Sequence, residues 1–328
     1  MLKVKNVNDY SAYLGHSAQH RWVSVIDYAE VTPIRHSLCN YSVYGLFLRD
    51  DILIDLTYGL GNYDYNKGTL ICVAPGQIGG KEDNGERVEI EGWALLFHPD
   101  ILRGSPLENK IKEYSFFSYQ TNEALHMTGE EREIFISMLQ QLRHELGHRP
   151  DKQQDSIILS YIELILNYAK RFYDRQFMTR RQDNNDILAR FEKLLDDYYN
   201  NGKQLSNGIP SVLYCAEQLC MSSNYFGDLV KRTTGETAGN HIRRFIVEKT
   251  KDKLIGGNSI SQIAYDLGFE YPQHLSRLFK KQEGCTPTEY TERLQKNSTT
   301  SGSDLIKQQI QYGQQHNTRN IRYHQSHR

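Results

Sequence analysis

The stretch Ile260-Ser-Gln-Ile-Ala-Tyr-Asp-Leu-Gly-Phe269 predicts a short helix that ends in a tight turn. Its apolar residues recur at helical spacing, and Gly268 then supplies a residue that tolerates a positive φ. A second helical pattern follows, with Leu275 and Phe279 on its apolar face. A short helix, a tight turn and a second helix are the layout of a helix-turn-helix unit.

The same pattern occurs twice in the chain. Ala216-x-x-x-Cys220 precedes Ala264-x-x-x-Gly268 by 48 residues, and Phe226-x-x-x-x-Lys231-Arg-x-x-Gly235 precedes Leu275-x-x-x-x-Lys280-Lys-x-x-Gly284 by 49. A small residue, alanine in both copies, suits the point where two helices cross closely. Cys220 stands where the second copy has glycine, so we expect backbone strain there on the order of 1 kcal/mol.

A helix is predicted between the two copies, from Ala238 to about Leu254. At 1.5 Å per residue it is roughly 25 Å long. A rigid helix of this length can present two recognition helices about one DNA turn, ~34 Å, apart. The repeat therefore favours binding to one face of a DNA duplex.

Three segments, 260–269, His274-Leu-Ser-Arg-Leu-Phe-Lys-Lys281 and Gly284-Cys-Thr-Pro-Thr-Glu-Tyr290, resemble the C-terminal signature of the arabinose-regulator (AraC/XylS) family. The resemblance covers roughly 211–293 and implies a DNA-binding transcription regulator. The sequence departs from the family pattern at three positions, where the family usually has Gly, Phe and Pro: Cys220, Val230 and Ala238.

The resemblance also implies which side chains face DNA. In the first recognition helix they are Ser223, Asn224, Gly227 and Asp228, and in the second they are Pro272, Gln273, His274, Ser276 and Arg277. Arginine and glutamine can read guanine and adenine edges. The residues suited to phosphate contacts are Lys231, Arg232, Lys280 and Lys281. Gly227 and Asp228 are poor at both tasks, so we expect the second copy to supply more of the base readout. For single positions such as Asn224 or Ser276, a solvated surface role stays open.

Composition and charge agree with a soluble, intracellular protein. The five cysteines among 328 residues are odd in number and form no C-x-x-C pair, which argues against a disulfide framework and favours the cytoplasm. We find neither a signal-peptide pattern nor an apolar run long enough for a membrane span. The net charge of −1 hides an excess of 12 Lys and Arg over 8 Asp and Glu between residues 231 and 296. That local excess is a weak indication of nucleic-acid contact.

The first ~100 residues have the pattern of short, closely spaced strands, which is typical of an all-β barrel or sandwich. The predicted strands are 41–48, 52–57, 69–74 and 93–97. Residues 67–76 resemble a strand and turn of cupin barrels, the usual sensor domain of the family. The His-x-His pair of metal-binding cupins is absent, so we expect a sensor without metal or a structural barrel. Five aromatic residues are candidates for lining an effector pocket: Tyr41, Tyr44, Tyr63, Tyr65 and Trp93.

Two helices are predicted after the strands. Thr128-Gly-Glu-Glu131 fits a capping box, and an apolar stripe follows at Phe135, Met138, Leu139, Leu142 and Leu146. The second helix, about 156–173, has a broad apolar face that needs a further partner. We therefore expect it to hold a homodimer through Ile158, Ile162 and Ile165. The polar stretch 180–185 is expected to be a linker, and 297–328 a disordered tail.

One motif favours an enzyme instead. His144-Glu-Leu-Gly-His148 matches the H-E-x-x-H pattern of zinc proteases, with Glu145 as the base. On a helical wheel both histidines lie opposite the apolar stripe and face solvent. Glu163 is the only plausible distant third ligand, so a zinc hydrolase stays a distant alternative.

The sequence therefore predicts an α+β multidomain protein with four parts. These are a cupin-like β sensor at 1–127, a helical dimerisation segment and linker at 128–183, a double helix-turn-helix domain at 184–296 and the tail. The expected partner is double-stranded DNA, with RNA polymerase and a small effector as further candidates. We expect no cofactor and no enzymatic activity. A regulator whose N-terminal domain only dimerises remains the alternative.

Overall fold

The computed structural model describes residues 1–17, 19–50, 68–120, 123–179 and 181–293, without the side chains of 181–185. The chain divides into two compact bodies. The N-terminal body comprises Met1–Glu192 and Val212–Ala238, and the C-terminal body comprises Lys193–Ser211 and the chain from Gly239 onward. The first helix-turn-helix thus belongs to the N-terminal body and the second to the C-terminal body.

The described strands of the N-terminal body form three sheets. They are β1 (Leu2–Val4), β2 (Val23–Asp27), β3 (Ile34–Arg35), β4 (Leu38–Tyr41), β5 (Tyr44–Arg49), β6 (Thr69–Val73), β7 (Ile78–Gly80), β8 (Arg87–Val88), β9 (Gly92–Phe97) and β10 (Leu125–His126). The largest sheet has the order β10-β6-β5-β9-β2, the second has β1-β4-β7, and β3 pairs with β8. The described strands form no closed barrel, so the cupin-like barrel gains no support from them.

The middle strand of the large sheet, β5, has a continuous run of apolar residues because both of its faces are covered. In β5, Leu46 pairs with Cys72 of β6 on one side and with Leu95 of β9 on the other. Leu46 and Leu48 on one face of β5 and Phe47 on the other are all buried. A strand that is covered on both faces needs no polar alternation. Three of the four predicted strands are confirmed as β5, β6 and β9, and the strand predicted at 52–57 lies outside the described residues.

A last helix begins at 287 and continues to 293, where the described residues end. The α-helices before it carry numbers. They are α1 (Val7–Tyr13), α2 (Leu107–Lys110), α3 (Gly129–Leu146), α4 (Gln154–Thr179), α5 (Arg181–Asn200), α6 (Gln204–Asn207), α7 (Val212–Gln218), α8 (Ser223–Thr234), α9 (Ala238–Ile255), α10 (Ile260–Asp266) and α11 (Pro272–Glu283). None of the described helices is both long and apolar enough to cross a membrane.

The start of α3 is formed as its sequence predicts. The Thr128 hydroxyl accepts from the Glu131 backbone N–H at 3.2 Å, and the Glu131 carboxylate accepts from the Thr128 N–H at 3.0 Å. The five residues of the predicted apolar stripe are all buried. The stretch 180–185 is helical from Arg181 onward, because α5 contains neither glycine nor proline that would interrupt it.

The apolar face of α4 finds its further partner within the same chain. Ile158, Ile162 and Ile165 are all fully buried in the single chain. Besides α3, the neighbours of α4 include β10 and α8. The prediction that these three isoleucines hold a dimer is therefore wrong in its residues, because packing inside the N-terminal body already covers them.

The turns of the two helix-turn-helix copies carry the expected backbone. Gly268 has φ 83°, and Cys220, at φ 58°, is the one non-glycine residue with a positive φ among those described. Close backbone neighbours are a second reason why position 268 requires glycine. A Cβ there would lie 2.8 Å from the Gln204 carbonyl oxygen and 3.1 Å from the Gly208 carbonyl carbon. The left-handed turn is thus strained at Cys220 and depends on glycine at Gly268.

Opposite changes at these two positions are expected to have opposite effects. Cys220→Gly removes the Cβ strain at a cost in chain entropy, so the free energy of unfolding should rise by about 0.5–1 kcal/mol. Gly268→Ala adds strain and a backbone clash, so it should fall by more than about 1 kcal/mol. Urea unfolding measures both, with Cys220→Ala as the control that keeps the Cβ. Equal stability of Cys220→Ala and Cys220→Gly would contradict the strain.

Candidate nucleic-acid interface

The second helix-turn-helix is built around a small buried core. Ser259 caps α10, its hydroxyl accepting from the Gln262 N–H at 3.2 Å. Helix α11 begins with Pro272 in its first turn and ends at Gly284, which has φ 72°. Leu275 and Phe279 of α11 are fully buried, as are Ile263 and Ala264 of α10. Ala264, the small residue predicted for the helix crossing, is thus part of this buried core.

The carboxylate of Asp266, the last residue of α10, is half-buried and holds the C-terminal end of this helix. Asp266 accepts from the Gln262 side-chain amide at 2.9 Å and pairs with Lys253 at 3.0 Å. These two contacts, the amide first, lower the pKa of Asp266. The Gln204 side chain donates to the Asp266 backbone carbonyl at 3.0 Å. These contacts join α10 to α9 and α6 within the C-terminal body.

The polar face of α11 is open. All five of its predicted polar contact residues other than serine are exposed: Gln273, His274, Arg277, Lys280 and Lys281. Gln273, Arg277 and Lys280 follow one another at intervals of four and three, so they lie on one helix face. Ser276 is half-buried and its hydroxyl donates to the Pro272 carbonyl at 3.3 Å. Tyr271, which lies outside the predicted contact set, is 47% exposed immediately before α11.

The first helix-turn-helix has the same internal design. Phe226, Leu229 and Val230 of α8 are fully buried, together with Ala216 of α7. The hydroxyl of Ser222, the N-cap residue of α8, accepts from the Tyr225 N–H at 3.2 Å. The helix ends at Gly235 with φ 78°. The duplicated sequence therefore forms two helix pairs of the same kind.

The predicted contact residues of α8 do not form an equally open face. Asn224 and Lys231 are exposed, and Ser223 and Gly227 are half-buried. Asp228 accepts from the Ser115 hydroxyl and from the Tyr119 hydroxyl, both at 2.5 Å. Arg232 pairs with Asp174 of α4. Two of the residues expected to face DNA are thus engaged inside the N-terminal body.

The N-terminal body also contains a cavity of about 540 Å³. Its wall includes Tyr10, Tyr13, Tyr28, Tyr41 and Tyr119. Burial raises the pKa of Tyr10 and Tyr41, so their phenols are neutral hydrogen-bonding groups at ordinary pH. The Tyr10 and Tyr28 hydroxyls are 2.9 Å apart.

Of the three predicted pocket aromatics that the structure describes, only Tyr41 lines this cavity. Tyr44 stacks on Phe97 with ring centroids 5.1 Å apart, and Trp93 lies under the Arg143 guanidinium. Tyr63 and Tyr65 lie outside the described residues. The prediction missed Tyr10, although α1 carries a signal in its buried residues Val7, Tyr10 and Ser11, which recur at helical spacing.

The residues of the H-E-x-x-H motif are arranged as the helical wheel predicts. His144 and His148 are exposed, and the Glu145 carboxylate lies 3.2 Å from the His148 Nδ1. Glu163, the candidate third ligand, accepts from Lys110 Nζ at 2.5 Å. In the part of the chain that the structure describes, no group of three His, Cys, Asp or Glu residues could hold a metal. The zinc alternative gains no support from this geometry.

The C-terminal part of the chain is similar to known proteins. Residues 215–293 fit the sequence pattern of the helix-turn-helix domain family. The uncharacterized transcriptional regulatory protein YesN of Bacillus subtilis is 33% identical over 108 residues, which is 32% of this chain and 28% of that protein. The matched part thus spans less than a third of that relative. Residues 215–293 form a helix-turn-helix domain, and the resemblance to AraC-type regulators is confirmed for this part of the chain.

Two solved structures align with parts of this chain. The C-terminal domain of the response regulator yesN from Fusobacterium nucleatum is 24% identical and covers 30% of this chain and 96% of its own, with a TM-score of 0.27. ToxT from Vibrio cholerae, solved with an unsaturated fatty acid bound, is 14% identical and covers 82% of this chain and 93% of its own, also at a TM-score of 0.27. Scores this low carry no inference about the present chain.

Proposed function

We propose that the chain is a sequence-specific DNA-binding transcription regulator in which α11 enters the major groove. The observation that carries this is the open polar face of α11, formed by Gln273, Arg277, Lys280 and Lys281. Arg277 and Gln273 have the geometry to read guanine and adenine edges, and the two lysines suit flanking phosphates. Helix α8 contributes fewer free side chains, so the second copy dominates base readout.

Selection of bound duplexes from a random DNA pool tests this function with the full chain. We expect one enriched sequence motif, with affinity that falls as salt rises because phosphate contacts release counterions. Recovery of DNA without any enriched motif would contradict sequence-specific recognition. Selection with and without cell extract also shows whether a diffusible effector changes the outcome.

The second part of the proposal is a small effector bound in the tyrosine-lined cavity. A volume of about 540 Å³ is within the range of small-molecule sites. Each tyrosine on the wall offers an apolar ring and a neutral hydroxyl, which suits a molecule with an apolar body and a few polar groups. The competing candidate is an N-terminal body that only dimerises.

Filling the cavity is expected to remove effector binding. Gly79 of β7 has an ordinary φ, and a Cβ there would contact the Tyr41 ring at 3.5 Å and Val73 at 3.8 Å, both cavity residues. Gly79→Leu should therefore abolish any shift in melting temperature that a metabolite panel produces in the wild type. Gly129→Ala, placed in open space at the start of α3, is the control. A shift that persists in Gly79→Leu places the ligand elsewhere.

Homodimerisation also remains part of the proposal, with a different face of α4. Ile157 and Leu164 are 39% and 43% exposed, and Tyr161 and Tyr168 between and beyond them are half-buried. The four residues follow at intervals of four, three and four, the spacing of a packing seam between helices. This seam is supported by exposure in the single chain, whereas the isoleucines first expected to hold the dimer are covered.

A charge in this seam is expected to separate the protomers. Leu164→Glu places a carboxylate where the proposed interface excludes water, so the protein should sediment as a monomer at micromolar concentration. Ala12→Glu adds the same charge at an exposed position of α1, outside α4, and should leave the dimer intact. Sedimentation of the wild type as a monomer would end the dimer proposal.

A further inference from the structure

The N-terminus of α8 is occupied by a carboxylate from elsewhere in the N-terminal body. The backbone N–H and the hydroxyl of Ser222 donate to the two carboxylate oxygens of Glu123, each at 2.6 Å. Glu123 is only 6% exposed. Burial raises the pKa of this carboxyl above its ordinary value, and the hydrogen bonds from Ser222 and from the Gln120 backbone offset part of that rise. In each of these hydrogen bonds the Glu123 carboxylate is the acceptor, as is expected for a bound anion.

Two further polar contacts continue along the same side of α8. Asp228 accepts from the hydroxyls of Ser115 and Tyr119, and one turn later Arg232 pairs with Asp174. Residues four apart lie on one helix face, so both contacts turn the same side of α8 toward the rest of the body. The Arg232 guanidinium also lies over the Phe177 ring, 5.5 Å from its centroid.

Aromatic rings also pack against this side of α8. Tyr225 is 9% exposed and its ring lies between those of Tyr119 and Phe177, with centroids 5.2 and 5.0 Å away. Tyr119 also contacts the Tyr173 ring at 5.3 Å. Such buried aromatic pairs hold the two surfaces together beyond the polar contacts. Helix α8 is therefore docked on α4 and on the segment 115–119.

The groups engaged here are those that a recognition helix offers to DNA. The free N–H groups and the positive dipole end at a helix N-terminus bind phosphate oxygens, and an arginine at the other end of the face can bind a second phosphate. Glu123 presents two anionic oxygens to the first of these positions, and Asp174 neutralises Arg232 at the second. DNA and the N-terminal body thus compete for the same donors.

We infer that the N-terminal body holds α8 in a state that excludes DNA, with Glu123 in the place of a backbone phosphate. This rests on the proposed DNA-binding function and adds its regulation. The first helix-turn-helix must leave Glu123, Tyr119 and Asp174 before it can enter a groove. Its apparent DNA affinity is then reduced by the fraction of molecules in which α8 is released.

The docked face is continuous with the cavity. Tyr119 lines the cavity wall, and its hydroxyl is the donor to Asp228 at 2.5 Å. Ser118 and Gln120, its chain neighbours, also belong to the wall. A molecule bound in the cavity therefore has a direct route to α8 through one side chain.

The test weakens the docking from the N-terminal side and leaves the helix-turn-helix residues unchanged. We expect Glu123→Gln/Asp174→Asn to bind random-sequence duplex DNA more tightly, on the order of tenfold, because more molecules release α8. The control Glu82→Gln/Glu130→Gln removes two exposed carboxylates and the same net charge. An equal gain in both double variants, or no gain in the first, would overturn the inference.

Amide hydrogen exchange of the full-length wild type is the second measurement. Saturating DNA should speed exchange in residues 115–120, which lose their contacts when α8 leaves. Unchanged exchange there on a DNA-bound chain would also overturn the inference. If the wild type binds no DNA, the proposed function fails. Faster exchange at Ser222 and Tyr225 in the DNA-free double variant would then still support the docking, and unchanged exchange would exclude it.

Discussion

Replacing Arg132 with methionine is expected to lower the free energy of unfolding of the N-terminal body by about 3 kcal/mol. Arg132 Nε donates to Asp50 Oδ1 at 2.7 Å, and its Nη2 pairs with the other carboxylate oxygen. Asp50 is 5% exposed. Without the guanidinium its carboxylate is buried and unpaired. Because the Arg132 side chain is 31% exposed, solvent screens part of the effect, which places it at the low end for buried pairs.

Two further variants separate this effect from the loss of an ordinary surface ion pair. Arg103, whose side chain is 75% exposed, pairs with Asp100 at 2.9 Å, and Arg103→Met should cost less than about 1 kcal/mol. The double variant Arg132→Met/Asp50→Leu removes both charges and should recover much of the loss. Urea unfolding gives all three values. Similar costs for Arg132→Met and Arg103→Met would show that the buried carboxylate is not the cause.

The helix-turn-helix repeat could be predicted from sequence because its constraints are local. The turn needs a residue with a positive φ within a few residues of the helix crossing. Gly268 meets this requirement in the second copy, whereas the first copy has Cys220 at the same position. The capping box of α3 is visible for the same reason, since Thr128 and Glu131 are three residues apart. Such short patterns determine the hydrogen bonds of their own segment, whatever other parts of the chain pack around that segment.

The partners of α4 and α8 could not be predicted in the same way. The periodicity of α4 shows that Ile158, Ile162 and Ile165 are buried, but it does not identify what covers them. The contact between Ser115 and Asp228 joins residues 113 positions apart, and that between Glu123 and Ser222 joins residues 99 apart. The family resemblance places Asp228 on the DNA-facing side because it compares α8 alone with the recognition helix of the family. Only the assembled body shows that another part of the chain takes that side.

The cavity illustrates the same difference. Its tyrosines come from α1, the 3₁₀ turn after β2, β4 and the segment before β10, and each is an ordinary amphipathic aromatic in its own element. Tyr41 and Tyr44 are three residues apart and look alike in sequence. Tyr41 lines the cavity, whereas Tyr44 packs on Phe97 and Phe117. Tyr41 belongs to β4, which pairs with β1 and β7, and Tyr44 belongs to β5, which pairs with β6 and β9. The pairing of these strands decides which tyrosine faces the open space, and local sequence does not show that pairing.

Arg277→Ala is expected to weaken binding to the selected DNA sequence by about 1–3 kcal/mol and to relax the preference at one base pair. Arg277 is exposed on α11, between the exposed Gln273 and Lys280 on the same face. An arginine in the major groove can donate two hydrogen bonds to O6 and N7 of guanine, and alanine leaves both acceptors without a partner. Affinity measured on the selected duplex and on single-base variants of it gives both quantities.

Two other substitutions show whether the loss comes from base readout or from charge. Lys280→Ala removes a charge suited to a phosphate contact, so it should weaken binding to selected and random duplexes alike and reduce the slope of affinity against salt by about one. Arg149→Ala removes an exposed arginine outside both helix-turn-helix copies and should change neither affinity nor preference. For Arg277→Ala, the loss should be large on the selected duplex and small on random DNA. An equal loss on both would assign Arg277 to the phosphate backbone and leave the base preference to other residues of α11.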